Sequence, residues 1–151
     1  MPVLEKIIVS NFRNIRFQEI QFSPNVNCIS GNNGEGKTNL LDAIYYLSMT
    51  KSAFSTSDRY IFSYGTDSFS VCGTYLMNTR SGEEPLKSKF AIQVTAGGDK
   101  KLRKDDKAYD KISAHIGELP IVMVSPSDIS LVSESGEERR RFANSVLSQM
   151  D

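Results

Sequence analysis

Eight consecutive residues, Gly31 to Thr38, have the types and spacing of a loop that binds phosphate. They read Gly-Asn-Asn-Gly-Glu-Gly-Lys-Thr and match the pattern G-x-x-x-x-G-K-S/T at every constrained position. The glycines allow the backbone to turn tightly enough for successive N–H groups to point at one phosphate. Lys37 has the reach for the β and γ phosphates, and the Thr38 hydroxyl is placed to ligate Mg²⁺. The chemistry implied is the binding of a nucleoside triphosphate.

The residues on either side of this loop predict the strand and the helix that such a loop requires. Val26 to Ser30 predict a short strand that ends directly in the loop. After the loop, apolar residues recur at helical spacing and predict an amphipathic helix from Lys37 to about Ser48. These apolar residues are Leu40, Leu41, Ile44 and Leu47. The N-terminus of that helix would add partial positive charge where phosphates bind.

Alternation and turn residues predict the other elements. Strands are expected at Val3 to Val9, Ile15 to Phe22, Phe69 to Met77, Lys87 to Thr95 and Pro120 to Val124. Helices are expected at Tyr109 to Ile116, after the start Ser125-Pro126-Ser127-Asp128, and from Ser135 to Gln149. The hydroxyl-rich stretch Met49 to Ser57 predicts a flexible surface loop. We therefore expect the α/β fold class, with a mixed sheet and an antiparallel β subdomain, in one domain.

Composition limits the classes of protein that fit this sequence. With 151 residues and 39% hydrophobic content, one domain can bury a core without disulfides or metals. Lys+Arg and Asp+Glu are equal at 18 each, so attraction for DNA must come from a local patch or from partners outside this chain. No stretch approaches the roughly 20 apolar residues of a membrane span, and the start lacks a signal-peptide pattern. We expect a soluble, cytoplasmic protein.

Cysteine and histidine give no sign of a metal site. Cys28 and Cys72 lie far apart in apolar stretches and have none of the spacings of a zinc site or disulfide framework. His115 is the only histidine, and we expect it at the surface without a catalytic role. A metal cluster or a histidine-based catalytic triad is therefore not predicted.

The residues around the loop resemble the ABC-type heads of SMC-like ATPases, and among these the RecF family. The resemblance rests on Leu4 to Asn14, Val26 to Ser48, Lys51-Ser52, Val124 to Asp128, Leu131-Val132 and Glu138 to Phe142. It covers the whole chain, with weaker matching between Tyr60 and Ala114. The resemblance implies a P-loop NTPase fold, an ABC-ATPase-like head lobe.

The resemblance also implies a site, cofactors and partners. The residues it assigns to the nucleotide are Gly31, Asn32, Asn33, Gly34, Glu35, Gly36, Lys37, Thr38, Asn39, Arg13 and Asn14, with Thr38 also binding the metal. The implied cofactors are ATP and Mg²⁺. The complete protein would form an ATP-dependent homodimer with slow ATPase activity that clamps double-stranded DNA. It would act at gaps with RecO and RecR, and help load RecA onto single-stranded DNA during recombinational repair.

Several positions depart from the family pattern. Glu35 stands where glutamine is usual, Ser55 where many relatives have arginine, and Asn144 where aspartate is expected. Ser125 stands where SMC heads have a glutamine. The second Mg²⁺ contact is therefore unassigned, and its candidates are Ser125 and Asp128. The sequence contains neither the signature motif nor an apolar strand that ends in paired acids. We expect a piece of a longer protein, which binds nucleotide weakly and does not hydrolyse it alone.

Three other interpretations remain open at this point. A small nucleotide kinase uses the same loop. Such a kinase would follow the loop helix with a lid rich in arginine, whereas the stretch Met49 to Ser57 contains one basic residue, Lys51. A non-enzymatic lobe that binds RecR-like partners or DNA would do so regardless of nucleotide. Another SMC-like head such as RecN would carry a long coiled-coil insertion, and no heptads are visible.

Two basic clusters are weighed as DNA contacts. One contains Lys100, Lys101, Arg103, Lys104 and Lys107, with Asp99, Asp105 and Asp106 interleaved. The interleaved acids favour a solvated hairpin. The other is Arg139 to Arg141, which cannot all face one way on a helix. We expect at least one of them to face solvent, and one is a candidate to pair with Glu137 or Glu138.

Overall fold

The structure, a computed structural model, describes residues 1–78, 83–133 and 136–150. Its strands are β1 (Val3–Phe12), β2 (Ile15–Gln21), β3 (Ser68–Met77), β4 (Leu86–Thr95), β5 (Lys100–Lys104) and β6 (Lys107–Ala108). Its α-helices are α1 (Lys37–Met49), α2 (Ser130–Ser133) and α3 (Gly136–Leu147). Short 3-10 turns lie at Asp58–Tyr60, Ile112–His115 and Pro126–Ile129. None of the described helices has the length and apolar character needed to cross a membrane.

The strands form one sheet in the order β2-β1-β3-β4-β5-β6, and each neighbouring pair is antiparallel. The predicted opening hairpin is confirmed, and its turn is short. Phe12 pairs with Ile15, so only Arg13 and Asn14 lie between the two strands. Arg13 has a φ of 53°, as tight hairpin turns require. The turn therefore presents two adjacent polar side chains at one end of the sheet.

Helix α1 packs on one face of the sheet, and the predicted helix is confirmed. Tyr46 is fully buried against Phe12 and Phe69, with edge-to-face ring centroids 6.0 and 5.2 Å away. Leu47 packs directly over Gly73. A Cβ atom at position 73 would lie 2.7 Å from the Cδ2 atom of Leu47, which is too close. Burying each large apolar side chain stabilises the fold by about 1.5–3 kcal/mol. This packing holds the C-terminal half of α1 against the sheet.

The predicted strand before the loop is wrong. Residues 26–30 have no strand partner in the described part of the chain, and Val26 is 88% exposed. Ile29 alone packs partly against the core. The segment contains the apolar residues of a strand, but a strand also needs a neighbour for its backbone N–H and C=O groups.

The predicted buried strand at 120–124 is wrong for a related reason. The backbone N–H of Ile121 donates to Oε1 of Gln149 at 2.8 Å, and its carbonyl accepts from Nε2 at 3.1 Å. A side-chain amide from the turn after α3 thus takes the place of a neighbouring strand. Val122 and Val124 are 61% and 78% exposed. Across the described residues the sheet is antiparallel and not mixed.

The shorter elements follow the predictions in part. The helix start at Ser125 is confirmed, with the Asp128 carboxylate accepting from the Ser125 N–H at 2.5 Å. The last helix is confirmed from Gly136, whereas its predicted cap, Ser135, lies outside the described residues. The helix predicted from Tyr109 is shorter, because the Tyr109 N–H still bonds the carbonyl of Leu102 on β5.

The expectation that His115 lies at the surface is wrong, because its side chain is completely buried. Its Nε2 atom is 2.7 Å from the carbonyl oxygen of Leu47 in the last turn of α1, where helical partners run out. A carbonyl only accepts, so Nε2 carries the proton and Nδ1 accepts from the Tyr109 hydroxyl at 3.3 Å. Burial lowers the pKa of His115, and the Leu47 carbonyl opposes this only in part. His115 therefore joins α1 to the segment after β6 as a neutral side chain.

This arrangement predicts a pH-dependent stability. An unfolded histidine has a pKa of about 6.5 and the folded pKa is lower, so the unfolded chain takes up the proton first as pH falls. The contribution of His115 should be complete above about pH 7 and should diminish below about pH 6.5, by at most about 1.4 kcal/mol per pH unit. His115→Gln keeps an N–H donor that does not titrate. Urea unfolding from pH 5 to 8 should show a flatter profile for His115→Gln, and parallel profiles would contradict the assignment.

Candidate nucleotide-binding site

The predicted phosphate loop leads directly into α1. Gly34 and Gly36 have φ angles of 85° and 97°, which lie in the left-handed region that favours glycine. The first helical bond runs from the Leu40 N–H to the Gly36 carbonyl at 2.9 Å. Gly36 is the N-cap and provides no side-chain cap, so the amides of the first turn are left to an anionic ligand.

Lys37 folds back across the loop. Its ammonium donates to the carbonyl of Gly31 and, at 3.3 Å, to the carbonyl of Asn32. Thr38 is exposed in the first turn of α1, and Asn33 is exposed in the loop. The structure therefore brings the lysine, the threonine and the glycines of the motif to one surface. Their contacts with nucleotide and metal stay predictions.

Asn14 joins the hairpin turn to this loop. Its Nδ2 group donates to the Gly34 carbonyl at 3.2 Å, and its Oδ1 atom accepts from Nδ2 of Asn39 at 2.7 Å. A Cβ atom at Gly36 would lie 2.8 Å from Oδ1 of Asn14. Asn14 and Asn39 thus lie at the loop, and Gly36 allows their close approach. Their contact with nucleotide stays a prediction.

The Arg13 side chain contacts α1 and the segment after it. Its Nη2 atom lies 3.0 Å from Oδ2 of Asp42 and 3.0 Å from the Ser52 hydroxyl. Asp42 is completely buried and also accepts from the Ser52 hydroxyl at 2.7 Å and the Ala53 N–H at 2.8 Å. A buried carboxylate is costly unless it is paired and hydrogen-bonded, and these groups meet both conditions. In this structure Arg13 holds α1, and its approach to nucleotide stays a prediction.

Sequence reasoning missed this network, although one signal was present. Asp42 is an acid between apolar positions of an amphipathic helix, which indicates a buried, paired charge. The segment after α1 lies mostly at the surface, as expected, but Ser52 is buried within it. Ser52 is 9% exposed, and its hydroxyl accepts from the N–H groups of Phe54 and Ser55 at 3.0 and 3.1 Å. That segment is anchored to α1 through Asp42.

A separate cleft of about 740 Å³ lies between this anchored segment and the C-terminal helices. Its lining includes Lys51, Ser55, Ser125, Asp128 and Arg141, and no residue of 31–39. The two candidates for the second Mg²⁺ contact, Ser125 and Asp128, therefore line this cleft, and their role stays a prediction. Phosphate binding by backbone N–H groups needs a tight loop and not a deep cavity, so the loop remains the candidate site.

Three of the basic residues weighed for DNA contact have acidic partners. Lys100 pairs with Asp58 at 2.8 Å and Lys104 with Glu118 at 2.7 Å. Arg141 forms the expected helical pair with Glu137, at 3.6 Å. Such surface pairs contribute little to stability, but they offset part of the charge of each cluster.

The two left-handed glycines allow a matched test of the loop geometry. Gly36→Ala should weaken ATP binding strongly, because it adds backbone strain and a clash with Asn14. Gly34→Ala adds strain of roughly 1–2 kcal/mol without a clash, since no atom lies within 4 Å of its Cβ position. Calorimetric titration with Mg²⁺ and ATP would compare them.

The Asn14→Ala background identifies the source of the difference. Removing the Asn14 amide should restore part of the binding lost in Gly36→Ala and none of that lost in Gly34→Ala. Equal losses in the two glycine variants, unaffected by Asn14→Ala, would show that the Asn14 contact has no part in shaping the loop.

Known proteins match this chain across its length. A family profile described as AAA domain matches residues 6–147. The DNA replication and repair protein RecF of Parabacteroides distasonis is 44% identical over 149 residues, which are 99% of this chain and 39% of that protein. RecF of Cytophaga hutchinsonii is 42% identical over 98% of this chain and 37% of its own length. The chain spans about two fifths of the length of these relatives.

Solved structures give the same result. The recombination mediator protein RecF-ATPrS matches with a TM-score of 0.88 and 28% identity, over 99% of this chain and 39% of that chain. An SMC ATPase at 18% identity, with a TM-score of 0.71 over 95% of this chain and 99% of that one, shows the fold alone. These matches confirm the predicted P-loop head lobe and the resemblance to RecF. The chain belongs to the AAA domain family and corresponds to the N-terminal portion of RecF.

Proposed function

We propose that residues 1–151 form the N-terminal ATP-binding lobe of a RecF-type protein. The loop from Gly31 to Lys37 binds the phosphates of ATP, and Thr38 binds Mg²⁺. The observation that carries this proposal is the position of Lys37 across a left-handed glycine loop at the N-terminus of α1. The matching RecF structures are described as RecF-ATP and RecF-ATPrS, which supports the same ligand.

For the complete protein we propose ATP-dependent DNA binding in recombinational repair and replication-fork recovery. The relatives are named DNA replication and repair proteins, and the solved RecF is called a recombination mediator in the RecFOR pathway. An ATP-dependent homodimer would bind double-stranded and single-stranded DNA in the cytoplasm. It would act with RecO and RecR to help load RecA at gaps.

We propose that this portion alone binds nucleotide without hydrolysing it. Hydrolysis needs a group that positions or deprotonates water beside the γ phosphate. Among the described residues of the loop, the acidic one is Glu35. Both of its carboxylate oxygens accept hydrogen bonds from Asn32. Asp42 is buried and paired with Arg13. In the complete protein, a weak ATPase activity would draw on residues outside this chain.

Calorimetric titration of the chain with Mg²⁺ and ATP tests this function. Lys37→Ala should lower the affinity about 10- to 100-fold, because hydrogen bonds to charged groups contribute roughly 1.5–3 kcal/mol each. The matched control is Lys51→Ala, since Lys51 is exposed and lines the separate cleft. That variant should bind ATP as the parent chain does.

A phosphate-release assay on the same samples separates this function from a kinase or a self-sufficient ATPase. We expect no turnover by the parent chain or by either variant. Equal affinity in Lys37→Ala and the parent would contradict the assignment of the loop. Rapid turnover by the chain alone would revive the kinase interpretation.

A further inference from the structure

The carboxylate of Glu35 closes the phosphate loop from within. Oε2 accepts the backbone N–H of Asn32 at 2.7 Å, and Oε1 accepts the side-chain amide of Asn32 at 2.9 Å. The backbone N–H of Glu35 donates in turn to the Asn32 carbonyl at 3.3 Å. Three hydrogen bonds therefore join the two ends of the turn from Asn32 to Glu35.

Lys37 and Glu35 hold the same stretch of backbone through opposite groups. The Lys37 ammonium bonds the carbonyls of Gly31 and Asn32, whereas the Glu35 carboxylate bonds the amides of Asn32. Oε2 of Glu35 would be 2.7 Å from a Cβ atom at Gly31, so only glycine leaves room for the carboxylate. The first two residues of the motif are thus held by side chains from its fifth and seventh positions.

Simple electrostatics and this geometry make opposite predictions. A carboxylate close to bound phosphates repels them, so its removal should strengthen nucleotide binding. A carboxylate that keeps the loop in its binding shape reduces the ordering cost of binding, so its removal should weaken it. Both oxygens of Glu35 are committed to Asn32, which favours the second effect.

We infer that Glu35 is a positioning residue that clamps Asn32 and holds the phosphate loop in the shape that binds ATP. The inference rests on the proposed function of the loop. It assigns to this chain a requirement for an acid at a position where a phosphate site would ordinarily exclude one. Glutamine at the same position would provide one acceptor oxygen in place of two.

The test measures Mg²⁺-ATP affinity of the full chain by calorimetry in four variants. Glu35→Ala loses both bonds to Asn32 and should bind about fivefold more weakly, and Glu35→Gln should lie between it and the parent. Asn32→Ala loses only the side-chain bond and should also weaken binding. The double variant Glu35→Ala/Asn32→Ala should bind no more weakly than Glu35→Ala alone, because Glu35→Ala already removes both hydrogen bonds of the clamp.

Amide hydrogen exchange at Asn32, measured without nucleotide, reports the clamp independently of affinity. Exchange should be faster in Glu35→Ala than in the parent chain, with Glu35→Gln between them. Unchanged or tighter ATP binding by Glu35→Ala would overturn the inference, and so would unchanged exchange at Asn32. If the parent chain failed to bind ATP, the proposed function would fall, while the exchange experiment would still decide whether Glu35 holds the loop.

Discussion

The fully buried carboxylate of Asp42 is the constraint on which the site depends. An unpaired charge at this depth would destabilise the fold by several kcal/mol, so the sequence must bring it a cation and donors. Arg13 provides the cation, and Ser52 and the Ala53 N–H complete the shell. Arg13 occupies one of two turn positions, so the pair also fixes its neighbour Asn14 beside the phosphate loop. One buried ion pair thus sets the positions of the hairpin, the helix and the segment after it.

The features predicted correctly from the sequence are those set by local spacing. The phosphate loop, α1 and the first hairpin each follow from residues adjacent in the chain. The errors concern partners distant in sequence. His115 is polar and lies two residues before Gly117, but its partner is the carbonyl of Leu47, 68 residues earlier. Residues 26–30 and 120–124 have the composition of strands, and composition does not provide the neighbouring strand that the backbone requires.

The candidate site and the cleft differ in the kind of chemistry they offer. The loop is mostly exposed, and it presents backbone amides, a lysine and a hydroxyl beside a helix N-terminus. The cleft is lined by side chains of both polar and apolar types, and its lining includes no residue of 31–39. Polyphosphate recognition depends on oriented N–H groups and positive charge more than on enclosed volume. The loop therefore provides the oriented N–H groups at a helix N-terminus that polyphosphate recognition requires, and enclosed volume alone does not make the cleft a phosphate site.

The most direct test of this account is a map of backbone amide chemical shifts during titration with Mg²⁺ and ATP. The account predicts that the largest changes occur at residues 31–39 and at Asn14, with small changes in the cleft. The largest changes among residues 51–56 and 121–149, with the loop unperturbed, would contradict it. That result would place the nucleotide in the cleft and leave the glycine loop as a structural turn.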